Sequence, residues 1–179
     1  MREDIEEIIA VPEKVEASLN ERTLTVKGPK GEIKRTFQIA LELNDRKMRL
    51  FYKKGTKNQK KLIMTTKAHI QNMFNGVLKG YTYILQIAFV HFPMTVRMDK
   101  NEFFVKNFLG ESKERKAVIL PNVEVKIKAD KIEVTSPDKE AAGQTAANIE
   151  QSTRITNRDR RVFQDGIWMI VTPDKNFLE

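Results

Sequence analysis

Cysteine is absent from all 179 residues of the chain. This absence excludes disulfide bonds, thiolate zinc sites and cysteine nucleophiles, and it suits a reducing compartment. Histidine is scarce, since His69 and His91 are the only two in the sequence. The chain also has no Walker loop, no Gly-x-Ser-x-Gly elbow and no His-Glu-x-x-His motif. We therefore predict no catalytic residue, no metal site, no cofactor and no small-molecule substrate.

Long apolar runs are also missing. No stretch is long enough to span a bilayer, and residues Met1 to Asp4 lack the apolar centre of a signal peptide. We therefore expect a cytoplasmic protein without a membrane partner.

Positive charge is abundant. The chain has 32 basic and 24 acidic residues, a net charge of +8, which favours a polyanionic partner such as nucleic acid. Residues 1–80 contain 17 basic and 10 acidic side chains, whereas residues 81–179 contain 15 and 14. Salt-sensitive attraction to phosphates is therefore expected mainly from the first half.

The pattern that follows residue 135 predicts a helix with a small apolar face. Ser136 is expected to be its N-cap and Pro137 its first helical residue. The residues of the core face recur at helical spacing and are Ala142, Ala146, Ile149 and Thr153. Gly143 lies beside this face, which would allow the helix to approach a sheet closely.

Four arginines follow this helix within eight residues. They are Arg154, Arg158, Arg160 and Arg161. A turn at Asp165-Gly166 and a strand from Ile167 to Val171 come next. Because planar guanidinium groups bind phosphates through two hydrogen bonds and also stack on bases, we predict that this cluster makes the specific contact with RNA. Phe163 and Trp168 belong either to the core, which we favour, or to a base-stacking surface.

Acidic residues near the arginines leave a catalytic alternative open. Glu150, Asp159 and Asp165 are the candidates for an acid–base pair or a Mg²⁺ site of a nuclease. The interpretation that we favour is structural, with Asp159 and Asp165 capping turns and pairing with neighbouring arginines.

Two further basic clusters are candidate RNA contacts. The first is expected to be an exposed loop that leads into a helix with an apolar stripe from Ile63 to Leu78, and it contains Lys53, Lys54, Lys57, Lys60 and Lys61. Its alternative is a solvated loop without a partner. The second belongs to the loop from Asn107 to Lys116 and contains Lys113, Arg115 and Lys116.

A hairpin pattern occurs twice. The strands predicted at Val15–Leu19 and Thr23–Lys27 align without a gap with those at Val123–Lys128 and Lys131–Thr135. One long helix is predicted in each half. We therefore predict an α+β protein of two similar domains, each a small, mainly antiparallel sheet packed against one long helix. The boundary is placed at Gly80-Tyr81, which gives an N-terminal domain of residues 1–80 and a C-terminal domain of residues 81–179 with an RNA-binding tail.

Several motifs carry a family resemblance. They run through the chain in order and are His69-Ile70-Gln71-Asn72-Met73, His91-Phe92-Pro93, Asn107-Phe108-Leu109-Gly110-Glu111, the stretch from Ala146 to Thr153, and the stretch from Arg160 to Ile167. From about residue 8 to residue 171 the sequence resembles the archaeal and eukaryotic branch of the large-subunit ribosomal protein L6 family. The short tails look archaeal.

The resemblance implies a structural component of the large ribosomal subunit. It implies binding to large-subunit ribosomal RNA near the sarcin–ricin loop and the stalk base, support of the translation-factor site, and neighbouring ribosomal proteins as partners. The C-terminal domain would be the chief RNA anchor. Because residues 156–166 differ from the Pro- and Lys/Gly-rich segment of bacterial members, contacts of the bacterial proteins do not transfer there. A freestanding RNA-binding adaptor or ribosome-assembly factor is the alternative.

Overall fold

The computed structural model describes residues 3–177 of the chain. Its contacts divide the chain into two compact units, Met1–Gly80 and Tyr81–Glu179. Each unit combines antiparallel strands with one long helix, which confirms the predicted α+β class. Neither helix in the described part is long and apolar enough to cross a bilayer.

Residues 3–80, the described part of the first unit, form six strands and one helix. These are β1 (Glu3–Ala10), β2 (Glu16–Asn20), β3 (Thr23–Gly28), β4 (Gly31–Thr36), β5 (Leu41–Asn44), β6 (Lys47–Gly55) and α1 (Lys57–Lys79). The strands form two sheets of order β1-β6-β5 and β2-β3-β4. Helix α1 contacts strands of both sheets, and Ile63, Ile70 and Val77 of its apolar stripe are fully buried.

A close approach between strand and helix fixes the end of α1. A Cβ atom on Gly28 would lie 2.9 Å from Val77, so a side chain at this position would push α1 away from β3. The backbone N–H of Lys30 donates to the Val77 carbonyl at 2.9 Å, and thereby satisfies one of the free carbonyls at the helix C-terminus. Gly80 ends the helix with a φ of 77°, a backbone conformation that favours glycine.

The second unit contains eight strands, one helix and a single 3-10 turn. The elements are β7 (Tyr81–Ala88), β8 (Thr95–Asp99), β9 (Glu102–Lys106), the turn Phe108–Gly110, β10 (Arg115–Val118), β11 (Glu124–Lys128), β12 (Lys131–Ser136), α2 (Lys139–Ser152), β13 (Gly166–Thr172) and β14 (Lys175–Asn176). One sheet has the order β10-β9-β8 and the other the order β11-β12-β7-β13-β14. Helix α2 contacts strands of both sheets.

Helix α2 buries the predicted face but begins later than predicted. Ala142, Ala146 and Ile149 are fully buried, and a Cβ on Gly143 would lie 3.0 Å from the Tyr83 hydroxyl. The predicted start was wrong, because α2 begins at Lys139 and Asp138 is its N-cap. The side chain of Asp138 accepts a hydrogen bond from Glu140 N at 2.9 Å.

The hydroxyl of Ser136 is occupied elsewhere. It donates to the Asn122 carbonyl at 2.8 Å and accepts from Asp138 N at 3.1 Å. Ser136 therefore connects the end of β12 to the turn that precedes β11. Because the residue before a proline disfavours the helical region, Pro137 keeps Ser136 extended and delays the helix start.

The repeated hairpin has the same register in both units. Ala17 pairs with Val26 and Leu19 with Leu24 in β2–β3. The residues aligned with them form the pairs Val125–Val134 and Ile127–Ile132 in β11–β12. The units diverge after the hairpin, since Pro29 leads into a further strand, β4, whereas Pro137 leads into α2.

The division into two units predicts that each half folds alone. Fragments 1–80 and 81–179, expressed separately, are each expected to unfold cooperatively on heating, because each has its own buried core. The sum of their circular dichroism spectra should equal the spectrum of the intact chain. A fragment that unfolds without cooperativity would mean that its half depends on the other.

Candidate nucleic-acid interface

The predicted arginine cluster lies on a connection fixed at both ends. We call residues 153–165, between α2 and β13, the arginine loop. At its start, buried Thr153 donates through its hydroxyl to Glu150 O at 3.1 Å and accepts from Ile167 N at 2.9 Å. At its end, the buried Asp165 carboxylate accepts from Val90 N at 2.9 Å. The loop therefore has defined anchors on β13 and on the residues after β7.

Arg115 fixes the same loop from β10. Its Nη1 donates to the carbonyls of Ser152 and Arg154, both at 3.0 Å. Its other nitrogens bind both carboxylate oxygens of Glu111 at 2.6 and 2.8 Å, and its guanidinium lies 4.3 Å from the centre of the Phe108 ring. The last turn of α2 contains no basic residue, so Arg115 supplies the positive charge that its carbonyl end favours.

Arg115 therefore has a structural role within its unit, and its contact with RNA stays a prediction. The hydrogen bonds from Arg115 hold the pKa of the Glu111 carboxyl below its usual value. Sequence reasoning could not find this role, because the carbonyls that Arg115 binds are 37 and 39 residues away.

The arginines of the loop are exposed, and three of them have defined partners. Arg158 lies 4.9 Å from the centre of the Phe163 ring and Arg160 lies 5.5 Å from that of Trp168. Arg161 binds the Asp159 carboxylate at 3.1 and 3.2 Å, which confirms one predicted pair. These hydrogen bonds lower the pKa of Asp159. The side chain of Arg161 is still 90% exposed, so its outer edge can meet a phosphate.

The two aromatic rings of this region differ in their surroundings. Phe163 packs against the core of the second unit, as expected. Trp168 is half-buried and lines a surface groove of about 890 Å³. Other residues of the groove include Gln86, Phe89, Val90, Asp130 and Arg160. The indole therefore faces the groove, whereas the favoured prediction placed it in the core.

The acidic residues do not form a catalytic centre. Oxygen Oε1 of Glu150 accepts from Met169 N at 3.4 Å, Asp159 binds Arg161, and Asp165 binds Val90 N. The expected pairing of Asp165 with an arginine was therefore wrong. Within residues 3–177 no group of three or more potential ligands could hold a metal ion.

The five lysines predicted to contact RNA in the first unit do not lie on one loop, and we call them the lysine cluster. Lys53 and Lys54 belong to the end of β6, and Lys57, Lys60 and Lys61 to the first two turns of α1. The sequence suggested a loop because lysines dominate this stretch, but Thr56 begins the helix by donating its N–H to Gln59 Oε1 at 2.9 Å. All five side chains are exposed, and the three helical ones lie on one face at i, i+3 and i+4.

The remaining predicted contacts differ in exposure and pairing. Lys113 is exposed. Lys116 lies 3.5 Å from Glu102 and its Nζ is 5.0 Å from the centre of the Phe104 ring. Lys116 belongs to β10 and Lys113 precedes that strand, and a surface ion pair of this kind contributes little to stability, so that a phosphate can replace the carboxylate.

Comparison with known proteins shows which family the chain belongs to. The sequence model of the family described as "Ribosomal protein L6" matches residues 11–80 and 92–166. A protein of Methanobrevibacter smithii named "Large ribosomal subunit protein uL6" is 44% identical over 169 residues, which cover 93% of this chain and 95% of that relative.

Two other archaeal proteins with the same name give similar values. The Nanoarchaeum equitans protein is 43% identical over 96% of this chain and 95% of its own length. The Desulfurococcus amylolyticus protein is 44% identical over 92% and 93%, respectively. The chain therefore belongs to the ribosomal protein L6 family, as the sequence motifs indicated.

Proposed function

We propose that the chain is a structural constituent of the large ribosomal subunit that binds large-subunit ribosomal RNA near the sarcin–ricin loop and the stalk base. In that place it supports the translation-factor site and contacts neighbouring ribosomal proteins. The observation that carries the proposal is the identity of more than 40% to relatives named as large-subunit proteins, over more than nine-tenths of this chain.

Membership of this family also decides between a structural and a catalytic role. Proteins of this family are structural components of the ribosome and not enzymes. The nuclease alternative, which relied on Glu150, Asp159 and Asp165, is therefore excluded.

The arginine loop is the proposed specific contact. Its ends are fixed by Thr153, Asp165 and Arg115, so RNA does not have to order the whole segment when it binds. Exposed guanidiniums on such a support suit phosphates and unstacked bases. Lys113 and Lys116 are proposed as additional contacts.

The lysine cluster is the proposed sequence-independent contact. Its helical members lie at the positive end of the α1 dipole, and the first turn contains no acidic residue. Cations at a helix N-terminus, and like charges four residues apart, destabilise a helix. A phosphate backbone near α1 would remove this repulsion, which supplies a physical reason for the arrangement.

Replacing Lys53, Lys54, Lys57, Lys60 and Lys61 by Gln is expected to flatten the salt dependence of RNA binding. Each true phosphate contact contributes about 0.7 to 0.9 to the slope of log affinity against log salt concentration. The matched control replaces five other exposed lysines of the first unit, namely Lys14, Lys27, Lys30, Lys34 and Lys47. Equal slopes for the two variants would leave the cluster with no role beyond net charge.

The proposed location near the sarcin–ricin loop and the stalk base is tested by comparing the affinities for two RNA fragments. The full chain should bind a large-subunit fragment that spans the sarcin–ricin loop and the stalk base about 100-fold more tightly than a small-subunit fragment of equal length, at the same salt concentration. Equal affinities would contradict the location while leaving general RNA binding intact.

A further inference from the structure

The groove beside Trp168 lies on the solvent-facing side of the five-stranded sheet. Trp168 and Lys131 are both registered opposite Gln86, on either side of β7. The neighbours of Gln86 along the strand, Leu85 and Ile87, are buried in the core. Because side chains alternate between the two faces of a strand, Trp168, Gln86 and Lys131 lie on the outer face.

The indole of Trp168 is held in a defined orientation on this face. Its Nε1 donates to the Gln164 carbonyl at 3.3 Å, and a Cβ on Gly166 would lie 3.3 Å from its ring atoms. Glycine at position 166 therefore allows the ring to lie flat against the start of β13. A rigid aromatic ring that lines an open groove loses little conformational entropy when a flat ligand stacks on it.

The rim of the groove adds apolar surface and positive charge. Phe89 and Val90 are 48% and 73% exposed, although both are large apolar residues. Arg160 and Arg161 lie on the arginine loop at the same groove, and the guanidinium of Arg160 is 5.5 Å from the centre of the Trp168 ring. A ligand that fits has a flat apolar face and a negative group attached to it.

We propose that this groove binds one unstacked base of the RNA, with the base against Trp168 and its phosphate against Arg160 and Arg161. The proposal rests on the proposed function, which supplies the RNA. Bases within a duplex have no free face for the indole, so the nucleotide must come from a loop, a bulge or a single strand. The amide of Gln86 and the carboxylate of Asp130, which also line the groove, are available for hydrogen bonds with the edge of the base.

Intrinsic fluorescence tests the proposal directly, because Trp168 is the only tryptophan of the chain. The full chain is titrated at low salt with a single-stranded RNA hexamer and with a blunt duplex of the same sequence, and binding is followed independently by a label on the RNA. Stacking on the indole should quench the emission in proportion to the single strand bound, and the duplex should leave it unchanged. Unchanged emission at saturation with the single strand would overturn the proposal.

Substitution provides the second measurement. Trp168→Leu should weaken binding of the large-subunit fragment about tenfold, since stacking on an aromatic side chain contributes this much per base. Trp168→Phe, which keeps an aromatic face, should bind within about threefold of the wild type. Arg97→Lys is the control, because Arg97 lies on β8 in the other sheet of this unit and binds Glu114. If the folded Trp168→Leu variant binds like the wild type, the groove does not bind a base.

The outcomes also separate this proposal from the one on which it rests. If the fragment binds the full chain tightly while the emission is unchanged, the base-binding groove is wrong and the ribosomal RNA contact stands. If the full chain does not bind the fragment at all, both proposals fail.

Discussion

Replacing Arg115 by Leu is expected to lower the free energy of unfolding of the second unit by about 2 to 3 kcal/mol, because charged hydrogen bonds to Glu111 and to two carbonyls are lost together. For a unit of this size the melting temperature should fall by about 10 °C or more. Thermal unfolding of fragment 81–179 measures both quantities. The side chain of Arg115 is only 25% exposed, so water replaces the lost partners poorly.

The control for this variant is Arg97→Leu. Arg97 also binds a carboxylate and lies over an aromatic ring, at 2.7 Å from Glu114 and 4.1 Å from the centre of Phe104. Its side chain is 53% exposed, so the expected loss is less than about 1 kcal/mol. If the two variants lose equal free energy of unfolding, Arg115 behaves as an ordinary surface cation and does not stabilise the contact between β10 and the arginine loop.

The stabilising effect of Arg115 should depend on pH in a known direction. Because the pKa of Glu111 is lowered in the folded state, its contribution to stability is present above the carboxyl's unfolded pKa and is lost as the pH falls through the folded pKa. The difference in stability between wild type and Arg115→Leu should therefore narrow in acid. A difference that widens in acid would assign the effect to another group.

Single Arg→Lys changes in the arginine loop are expected to weaken RNA binding while thermal stability is nearly unchanged. Lysine keeps the charge but lacks the planar fork, so the loss measures bidentate binding and stacking. We expect the largest effects, about tenfold or about 1.4 kcal/mol each, at Arg158 and Arg160. These two guanidiniums lie over aromatic rings and are displayed to solvent.

Smaller losses are expected for the other two arginines. Arg161 shares its fork with Asp159, and Arg154, within residues 3–177, lies over no aromatic ring of the kind that Arg158 and Arg160 contact. Weak nonspecific RNA binding should be unaffected in all four variants, because the charge is kept. If all four bind the large-subunit fragment and enter ribosomes like the wild type, the loop supplies charge alone and the specific contact lies elsewhere, with residues 107–116 as the next candidate.

The apolar periodicity predicted both helices and several of the strands. The buried face of α2, the stripe of α1 and the strand after Asp165-Gly166 are all present, because each is set by neighbours close in sequence. Strand β1 was missed. Four of its eight residues are acidic, and its partners on β6 lie more than 35 residues away. Tertiary pairing therefore decides its structure, and local propensity does not.

The candidate site was predictable in composition but not in geometry. The sequence identifies the four arginines, yet only the fold shows that Arg115 binds the last carbonyl of α2 and a carbonyl of the arginine loop. The groove combines Phe89 and Val90, which follow β7, with Asp130 from a turn and Trp168 from β13. No pattern along the chain joins these positions, because strand pairing brings them together.

The most direct test of the central claim is sedimentation of a native cell extract. We expect the protein to migrate with the large ribosomal subunit, in an amount equal to that of other large-subunit proteins, and to remain there after a high-salt wash. A freestanding adaptor or an assembly factor would be released by the wash, or would be found only on immature particles. Recovery of most of the protein in the soluble fraction, away from mature large subunits, would contradict a structural role in the large ribosomal subunit.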